Sequence, residues 1–452
     1  MAGDVRETTY GDFAADFVED RLVNLCDSSA GIQTGPFGSQ LHQGDYVAVG
    51  TPIITVEHLG ENRIFHKGVP RVSDADRVRL SRYSLRAGDI VFSRVGSVDR
   101  RALVRHAEDG WLFSGRCLRV RPNTERIDSG FLSYFFGLPA FKEHIRSIAI
   151  GATMPSLNTS ILSDVIIPHP SDLGEQRAIA HILGTLDRKI ELNRRMNETL
   201  ETMARALFKS WFMDFDPVRA KAEGRDPRLP KEIADLFPDS FEDSGLGEIP
   251  KGWRVKQLSD LCSTQYGYTA SAVDEPIGPK FLRVTDINKR NWIDWGDVPH
   301  CAIEPDTIAS YILKVGDLIV ARMADPGKSA IIEEEIDAVF ASYLVRLKTL
   351  SLAHSYYVYG FLKSDLYAEY AEGAKSGSVQ ANMNAKVIVG ASLALPPERI
   401  IQQFLQAVLP LRRRLVANVR DSRTLTALRD TLLPKLISGE LRVGDQLRAK
   451  FT

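Results

Sequence analysis

The sequence predicts an α+β protein in which one unit, a mixed α/β domain followed by a long helix, occurs twice as a tandem repeat. The repeat is visible as collinear sequence blocks. LRAGDIVFSR recurs as LKVGDLIVAR at a shift of 228 residues, and LETMARALFKSWF recurs as LTALRDTLLPKLI at a shift of 225. Short β-like runs bounded by Gly or Pro fill each domain, and a helical pattern longer than most single-domain helices follows it.

Four further blocks keep the same order in both halves. RLVNLCDSSAGI aligns with QLSDLCSTQYGY, which pairs Leu22 with Leu258, Cys26 with Cys262 and Gly31 with Gly267. The others are PIITVEHL with KFLRVTDI, FSGRCLRVR with FASYLVRLK, and GATMPSLN with GSVQANMN. Six blocks at nearly constant spacing indicate a duplicated unit rather than chance similarity.

The first long helix is predicted over 172–213 and its repeat over 397–440. The seam of the first helix has the alternating three- and four-residue steps of a coiled coil, at Leu186, Ile190, Asn193, Asn197, Leu200, Ala204, Leu207 and Trp211. Such a helix needs a partner, and the second helix supplies one. The two seam asparagines indicate either a solvated gap or a register-setting polar contact. Internal prolines at 410 and 434 predict bends in the second helix.

These patterns divide the chain into seven segments. The segments are an N-terminal tail at 1–20, the first α/β domain at 21–171, the central helix at 172–213, a Pro- and Gly-rich linker at 214–249, the second α/β domain at 250–396, the C-terminal helix at 397–440 and a tail at 441–452.

The composition predicts a soluble, cytoplasmic multidomain protein with no membrane partner. No run of eighteen apolar residues is present, and the acidic N-terminus lacks a signal-peptide core. The four cysteines lie far apart, which disfavours disulfides and zinc and predicts buried thiols. The net charge is −1, but residues 60–125 carry fourteen Lys and Arg against eight Asp and Glu. That segment is either a phosphate-facing surface or a solvated Arg-rich one.

A search for catalytic motifs does not support catalysis. RMADPGKS at 322–329 has only the end of a phosphate-binding loop, because arginine replaces its first glycine. The sequence lacks GxGxxG and HExxH, and its histidines do not cluster as metal ligands. The only Pro-Pro, within LPPE at 395–398, is typical of a helix start and not of a DNA amino-methyltransferase motif.

Several stretches resemble the specificity subunit of type I restriction-modification enzymes. They are GPFGS at 35–39, GDIVFSR at 88–94, EQRAIAHILGTLDRKIELNRRMNETLE at 175–201, LFKSWFMDFDP at 207–217 and LLPKLISGEL at 432–441. The resemblance covers essentially the whole chain past about residue 20, and the two helical motifs are highly specific.

The resemblance implies two target-recognition domains, each reading one half of a bipartite, nonpalindromic site on double-stranded DNA. Two long helices would pack antiparallel as a coiled coil, giving a pseudo-twofold repeat, set the half-site spacing and dock two methyltransferase subunits. Restriction and translocase subunits would join through the methyltransferase. No cofactor is expected on this chain, since the resemblance places S-adenosylmethionine, ATP and magnesium on the partner subunits.

Candidate DNA-binding residues are polar side chains on loops that both copies share, where base edges and phosphates are read. In the first domain they are Gln33, Thr34, Ser39, Gln40, His42, Arg94, Ser97, Arg100, Arg101, Thr153 and Ser156. In the second they are Tyr266, Tyr268, Thr269, Arg283, Thr285, Lys289, Arg290, Arg322, Lys328, Ser329, Lys375, Ser376, Ser378 and Gln380. Arg94 and Arg322 follow the Gly-Asp strand in both copies, which suits phosphate better than base reading. Two alternatives stay open: a standalone nucleic-acid-modifying enzyme and a purely structural adaptor.

Overall fold

The structure is a computed structural model that describes residues 4–27, 31–36, 40–151, 153–375 and 382–451. The chain forms two compact units. The first unit contains Met1–Lys189 and Thr424–Thr452, and the second contains Ile190–Arg423. Each unit therefore holds the beginning of one long helix and the end of the other. The expected α+β fold class is confirmed.

The first domain and the long helix that follows it contain twelve described strands and five α-helices. The strands are β1 Val5–Thr8, β2 Gly11–Ala14, β3 Val18–Arg21, β4 Ile32–Thr34, β5 Tyr46–Val47, β6 Thr51–Ile54, β7 Arg71–Val72, β8 Ile90–Ser93, β9 Arg101–Leu103, β10 Leu112–Phe113, β11 Cys117–Val120 and β12 Ile166–His169. The helices are α1 Asp74–Arg79, α2 Ser129–Phe135, α3 Pro139–Ile148, α4 Thr159–Ser163 and α5 Leu173–Phe212.

The rest of the chain repeats this plan. Its elements are α6 Asp216–Ala222, α7 Lys231–Ala234, β13 Phe241–Ser244, β14 Gly247–Pro250, β15 Arg254–Gln257, β16 Cys262–Tyr266, β17 Lys280–Leu282, α8 Val284–Ile287, α9 Pro305–Tyr311, β18 Leu318–Ala321, β19 Ser329–Ile331, β20 Ala338–Phe340, β21 Leu344–Thr349, α10 Leu352–Leu362, α11 Asp365–Lys375, α12 Ala385–Ile388, β22 Ser392–Leu395, α13 Glu398–Ser438 and α14 Asp445–Arg448.

Each unit is built on a four-stranded antiparallel sheet. The strand order is β4-β11-β8-β9 in the first unit and β16-β21-β18-β19 in the second. The strands β8 and β18 are buried along their whole length, which explains their apolar runs. A parallel pair, β6 with β10 and β17 with β20, accompanies each sheet. The sheets therefore share one topology as well as related sequences.

The long helices complete the two cores. In the first unit, Leu436 and Ile437 at the end of α13 are buried against the core that contains α2 and β8. In the second unit, Phe208, Trp211 and Phe212 at the end of α5 occupy the corresponding place. Burial of these apolar side chains holds each helix end in its unit.

Local sequence signals act alike in both repeats. The helix α4 begins after Asn158 and α12 begins after Asn384. Each asparagine side chain accepts a hydrogen bond from a backbone N–H of the first turn, at 2.8 Å and 2.9 Å. The bond satisfies a donor that the helix itself leaves unpaired.

The backbone hydrogen bonds correct one pairing of the sequence alignment. Leu22 and Leu258 donate to equivalent carbonyls, of Val165 and Ala391. Thr34 pairs with Leu118 across the first sheet, however, and Tyr266 pairs with the equivalent Val345 in the second. Gly267 is therefore equivalent to Gly35 and not to Gly31. Between Cys26 and Gly35, the first copy has four more residues than the second has between Cys262 and Gly267. An alignment without a gap therefore pairs the wrong glycines.

The repeat also begins earlier than the sequence blocks indicate. Residues 4–20 are not a loose tail, because β1 and β2 form a hairpin and Phe13 and Phe17 are buried. Within 214–249, the part expected as a linker, β13 pairs with β14 in the same register, and Ile249 and Trp253 are buried at the matching positions. Both hairpins close with a hydroxyl bonded to a glycine carbonyl, at 2.8 Å and 2.7 Å. Their dissimilar sequences hid this equivalence.

The C-terminal segment 441–451 is also ordered against the first unit. Val443 is buried, and the guanidinium groups of Arg442 and Arg448 lie 3.0 Å and 3.1 Å from the buried carboxylate of Glu175. A buried carboxylate needs such partners. The expected tail is therefore part of the fold.

The two long helices run antiparallel where they pair. In the second unit, Asn193 of α5 contacts Ser422 of α13, and Asn197 accepts a hydrogen bond of 2.9 Å from Asn418. In the first unit, Asp187 lies 2.9 Å from Arg429. The asparagine seam is buried and not a solvated gap. The helix α13 continues through both prolines, so neither ends it.

Candidate nucleic-acid interface

The equivalent residues Arg94 and Arg322 lie at the centre of a loop cluster in each unit. The Arg94 N–H donates to the Arg116 carbonyl at 2.8 Å, and its carbonyl accepts from Leu157 at 2.9 Å. These bonds tie the end of β8 to the loop before β11 and to the segment before α4. Both arginines are half-buried.

The second unit repeats the arrangement. The Arg322 N–H donates to Tyr343 at 3.0 Å, and its carbonyl accepts from Met383 at 2.9 Å. The side chains differ, however. The Arg94 guanidinium donates to the Gly115 carbonyl at 3.1 Å, whereas that of Arg322 lies 4.9 Å from the centre of the Tyr266 ring. The two copies therefore share a backbone frame and carry different chemistry on it.

In the first unit the frame gathers further candidates. Gly96 donates to the Pro155 carbonyl at 2.9 Å, and Val95 pairs with Ser156. This contact brings the exposed Ser97 and Arg100 to the same loops as the exposed Thr153 and the half-buried Ser156.

The strand β4 adds Gln33 and Thr34 beside β11. The chain leaves this strand at Gly35, where a Cβ atom would lie 2.1 Å from the Ser114 carbonyl oxygen. Gln40 is held by a 2.8 Å hydrogen bond from the Tyr83 hydroxyl, and the side chain of His42 is exposed. The candidate Ser39 lies outside the described residues.

In the second unit, Tyr266 accepts a hydrogen bond of 2.9 Å from the Ala385 N–H, and the Tyr268 and Tyr311 ring centres lie 5.4 Å apart. Thr269, Thr285, Lys289, Arg290 and Lys328 are exposed. The Lys375 side chain, Ser376, Ser378 and Gln380 lie outside what the structure describes.

Two candidates do not suit DNA contact as the structure places them. Arg101 is 2% exposed, and its guanidinium donates to the Ser133 carbonyl at 3.0 Å and to Glu61 at 2.6 Å. Ser329 is also 2% exposed, in β19. Both follow sequence stretches that read as loops, but the residues lie in strands of the central sheets. Their side chains are buried because the strands pair in the sheet.

Two further arginines are already paired with acids. Asp286 holds Arg283 through two contacts at 2.9 Å and 3.1 Å, and Asp294 lies 2.9 Å from Arg290. A DNA phosphate would have to compete with these carboxylates.

Sequence reasoning missed the equivalent pair Arg116 and Tyr343. Both side chains are exposed, and both belong to the loop whose carbonyl receives the N–H of the central arginine. The signal was present, because the blocks FSGRCLRVR and FASYLVRLK differ at this position. These two side chains occupy the same place in the frame with different hydrogen-bonding groups.

Metal-ligand groups and reactive thiols are two further features to consider in the described residues. Within them, no group of three His, Cys, Asp or Glu side chains is arranged to hold a metal ion. Burial raises the pKa of the Cys26, Cys117 and Cys262 thiols to about 12, which disfavours the reactive thiolate. In the described part of the chain, no helix is long and apolar enough to cross a membrane.

Comparison with known proteins agrees with this geometry. A family model described as the type I restriction modification DNA specificity domain matches residues 36–202. The type I restriction enzyme MjaIX specificity subunit of Methanocaldococcus jannaschii is 31% identical over 326 residues, which cover 71% of this chain and 70% of that protein. The HindI specificity subunit of Haemophilus influenzae is 25% identical over 432 residues, covering 84% of this chain and 92% of its own.

The fold has a solved counterpart. The type I restriction-modification S subunit from M. genitalium superposes with a TM-score of 0.58, at 16% sequence identity, over 93% of this chain and 96% of that one. The repeated domains with their long helices, the shared loop frame and the MjaIX relative lead to one assignment. The chain belongs to the family of type I restriction enzyme specificity subunits.

Proposed function

We propose that this chain is the noncatalytic subunit that selects the DNA sequence for a type I restriction-modification complex. Each target-recognition domain reads one half of a bipartite, nonpalindromic site on double-stranded DNA. The helices α5 and α13 set the spacing between the half-sites and dock two methyltransferase subunits.

The observation that carries the proposal is the shared loop frame with unlike side chains. Arg116 and Tyr343 extend from equivalent backbone positions beside Arg94 and Arg322. A guanidinium can donate two hydrogen bonds to guanine, whereas a phenol offers one hydroxyl and a ring. The two domains would therefore bind DNA in the same orientation and contact different bases.

The proposed complex places catalysis on other subunits. Restriction and translocase subunits join through the methyltransferase, and S-adenosylmethionine, ATP and magnesium bind to these partners. The complex works in the cytoplasm. The near-neutral charge of the chain supports a shared task, since partner subunits can contribute to neutralising DNA phosphates.

The test is to co-express the chain with its methyltransferase partner and map methylated adenines across the host genome. We expect methylation at one bipartite sequence, and loss of that methylation when the chain is omitted. Methylation that is independent of the chain, or scattered without a common sequence, would contradict the proposal.

The same preparations separate the alternatives. The purified chain should neither methylate nor cleave DNA, and binding of S-adenosylmethionine or ATP to it alone would favour a standalone enzyme. Failure of the assembled complex to protect any DNA sequence would favour a structural adaptor.

A further inference from the structure

The first unit contains an open cleft of about 670 Å³ beside the candidate DNA surface. We name it the arginine cleft. Its wall includes Gln33, Ser81, Arg82, Ser84, Arg86 and Arg121. None of its three arginines is among the candidate DNA-binding residues predicted from the sequence.

Positive charge is concentrated at the base of the cleft. Arg121 is held by Asp89 through two contacts of 2.7 Å, and Arg119 is buried beneath it, 3.2 Å from the Ser84 carbonyl. Burial, followed by the charge of Arg121, lowers the pKa of Arg119 to about 10. The cleft wall contains Arg82, Arg86 and Arg121 with one acid, Asp27, which is an excess of two positive charges among the lining residues.

The outer wall carries two exposed arginines. Arg82 and Arg86 are exposed, and the Arg82 guanidinium lies 4.6 Å from the centre of the Tyr83 ring. The Tyr83 hydroxyl accepts from Arg82 and donates to Gln40, a candidate DNA-binding residue. The cleft therefore adjoins the proposed interface through Gln40 and through Gln33 in its own wall.

In the second unit, the side chain at the position equivalent to Gln33 is hydrogen-bonded at both its oxygen and its nitrogen. Gln265 matches Gln33 in the sheet register, since they pair with Arg346 and Arg119 respectively. The Gln265 side chain accepts from Arg346 and donates to the Ser310 carbonyl at 2.9 Å. Ser310 stands where the first unit has Arg82, and Lys314 stands where it has Arg86.

The Gln33 side chain differs from that of Gln265 in its hydrogen bonding. Among the described residues, none hydrogen-bonds the buried side-chain oxygen of Gln33. An unpaired buried acceptor is costly, whereas the equivalent Gln265 oxygen in the second unit accepts from Arg346. The two copies therefore differ in charge at this place, because the first has the exposed Arg82 and Arg86 where the second has Ser310 and Lys314.

We propose that the arginine cleft binds phosphate groups of the DNA backbone next to the half-site read by the first domain. This inference rests on the proposed function. Planar guanidinium groups match phosphate oxygens bidentately, and the cleft's excess charge attracts a polyanion. Contacts to phosphate would position the domain without carrying sequence information.

The test uses the complex with its methyltransferase partner and the variants Arg82→Ala and Arg86→Ala. The dissociation constant is measured against salt concentration for the target duplex and for a duplex with an altered first half-site. The matched control is Arg77→Ala, which removes an exposed arginine of α1 outside the cleft wall. Because both target arginines are exposed, the variants should fold.

We expect each cleft variant to weaken binding to both duplexes by the same factor. The slope of log K against log salt should fall by about 0.9 for each lost phosphate contact. The control should leave the slope unchanged. A slope equal to that of the wild type, or a changed half-site preference, would overturn the phosphate assignment. If the wild-type complex itself shows no sequence-specific binding, the proposed function fails instead.

Discussion

Arg412 shows how a single residue joins a domain to the helix pair in the second unit. It is 2% exposed, and its guanidinium donates to Glu201 of α5 and, at 2.8 Å, to Glu333 of the loop after β19. Glu333 also accepts a hydrogen bond of 2.8 Å from Tyr356. Buried charges are tolerated only when paired, so this network places strong demands on geometry.

Replacing Arg412 with Met should lower the free energy of unfolding of the second unit by about 3–5 kcal/mol, because Glu333 loses its cation and the buried Glu201 keeps only its contact with Arg205. Chemical denaturation followed by circular dichroism measures the change. Arg413→Met is the matched control, since Arg413 is exposed on the same helix. Equal effects of the two substitutions would show that the buried network contributes no specific stability.

Arg116 and Tyr343 give a second residue-scale prediction. We expect Arg116→Ala to relax base preference in one half-site of the methylated sequence and Tyr343→Ala to relax it in the other. Each lost base contact should reduce discrimination by about 1–3 kcal/mol. Sequencing of methylated sites measures both halves at once. A change in both half-sites from one substitution would be inconsistent with independent reading by the two domains.

The buried thiols predict a pH dependence of alkylation. Burial raises the pKa of Cys117 to about 12, and the thiolate is the form that reacts. The native chain should therefore react slowly with iodoacetamide at pH 8, and the rate should still rise about tenfold per pH unit above it, because the pKa lies higher. Mass spectrometry of native and unfolded protein provides the comparison. Rapid native labelling of Cys117 at pH 8 would contradict burial of this thiol.

At the scale of elements, close packing between helices decides where glycine is required. In the second unit, Gly360 of α10 lies against Phe208 of α5, and an added Cβ would lie 2.2 Å from the ring. A Cβ atom added to Gly373 of α11 would meet open space. Helix propensity alone favours alanine at both sites. Only packing distinguishes them, so alanine substitutions at the two sites compare the effect of packing with that of propensity.

We expect Gly360→Ala to destabilise the second unit by about 1–3 kcal/mol through overpacking. Gly373→Ala should stabilise it by up to about 1 kcal/mol, because alanine is the better helix former. Thermal or chemical unfolding distinguishes the two signs. A stabilising Gly360→Ala would mean that the helices separate at little cost.

The sequence predicted some elements well and others poorly, for physical reasons. The strands β8 and β18 and the helices α5 and α13 have strong periodic patterns, and they were recognised from those patterns. The sequence predicts a tail and a linker where the structure has the hairpins β1-β2 and β13-β14, because four-residue strands carry little periodicity. The sequence places Arg101 and Ser329 in loops, whereas both lie in strands and are buried.

At the scale of the whole molecule, each compact unit combines the start of one long helix with the end of the other. The antiparallel pairing therefore contributes to both cores. In the second unit, asparagine side chains form polar contacts between α5 and α13 within an otherwise apolar seam. A buried polar pair of this kind disfavours shifted registers.

This organisation predicts how a change in helix length acts in the complex. One heptad inserted into α5 beside Asn193 and one into α13 beside Ser422 would keep the seam and add about 10.5 Å at ~1.5 Å per residue. The gap between half-sites should lengthen, by up to about three base pairs at ~3.4 Å each. Methylation mapping provides the measurement. Altered half-site sequences would show that the helices do more than set spacing.

The sequence by itself determined the duplication, the α+β class, the two long helices and the family resemblance, because these depend on periodicity and on motifs spread along the chain. Only the tertiary structure decided which polar side chains are available for binding. It buried Arg101, exposed Arg116 and Tyr343 at equivalent backbone positions, and formed the arginine cleft in the first unit. Such outcomes depend on strand register and on contacts between residues far apart in sequence, which local patterns do not record.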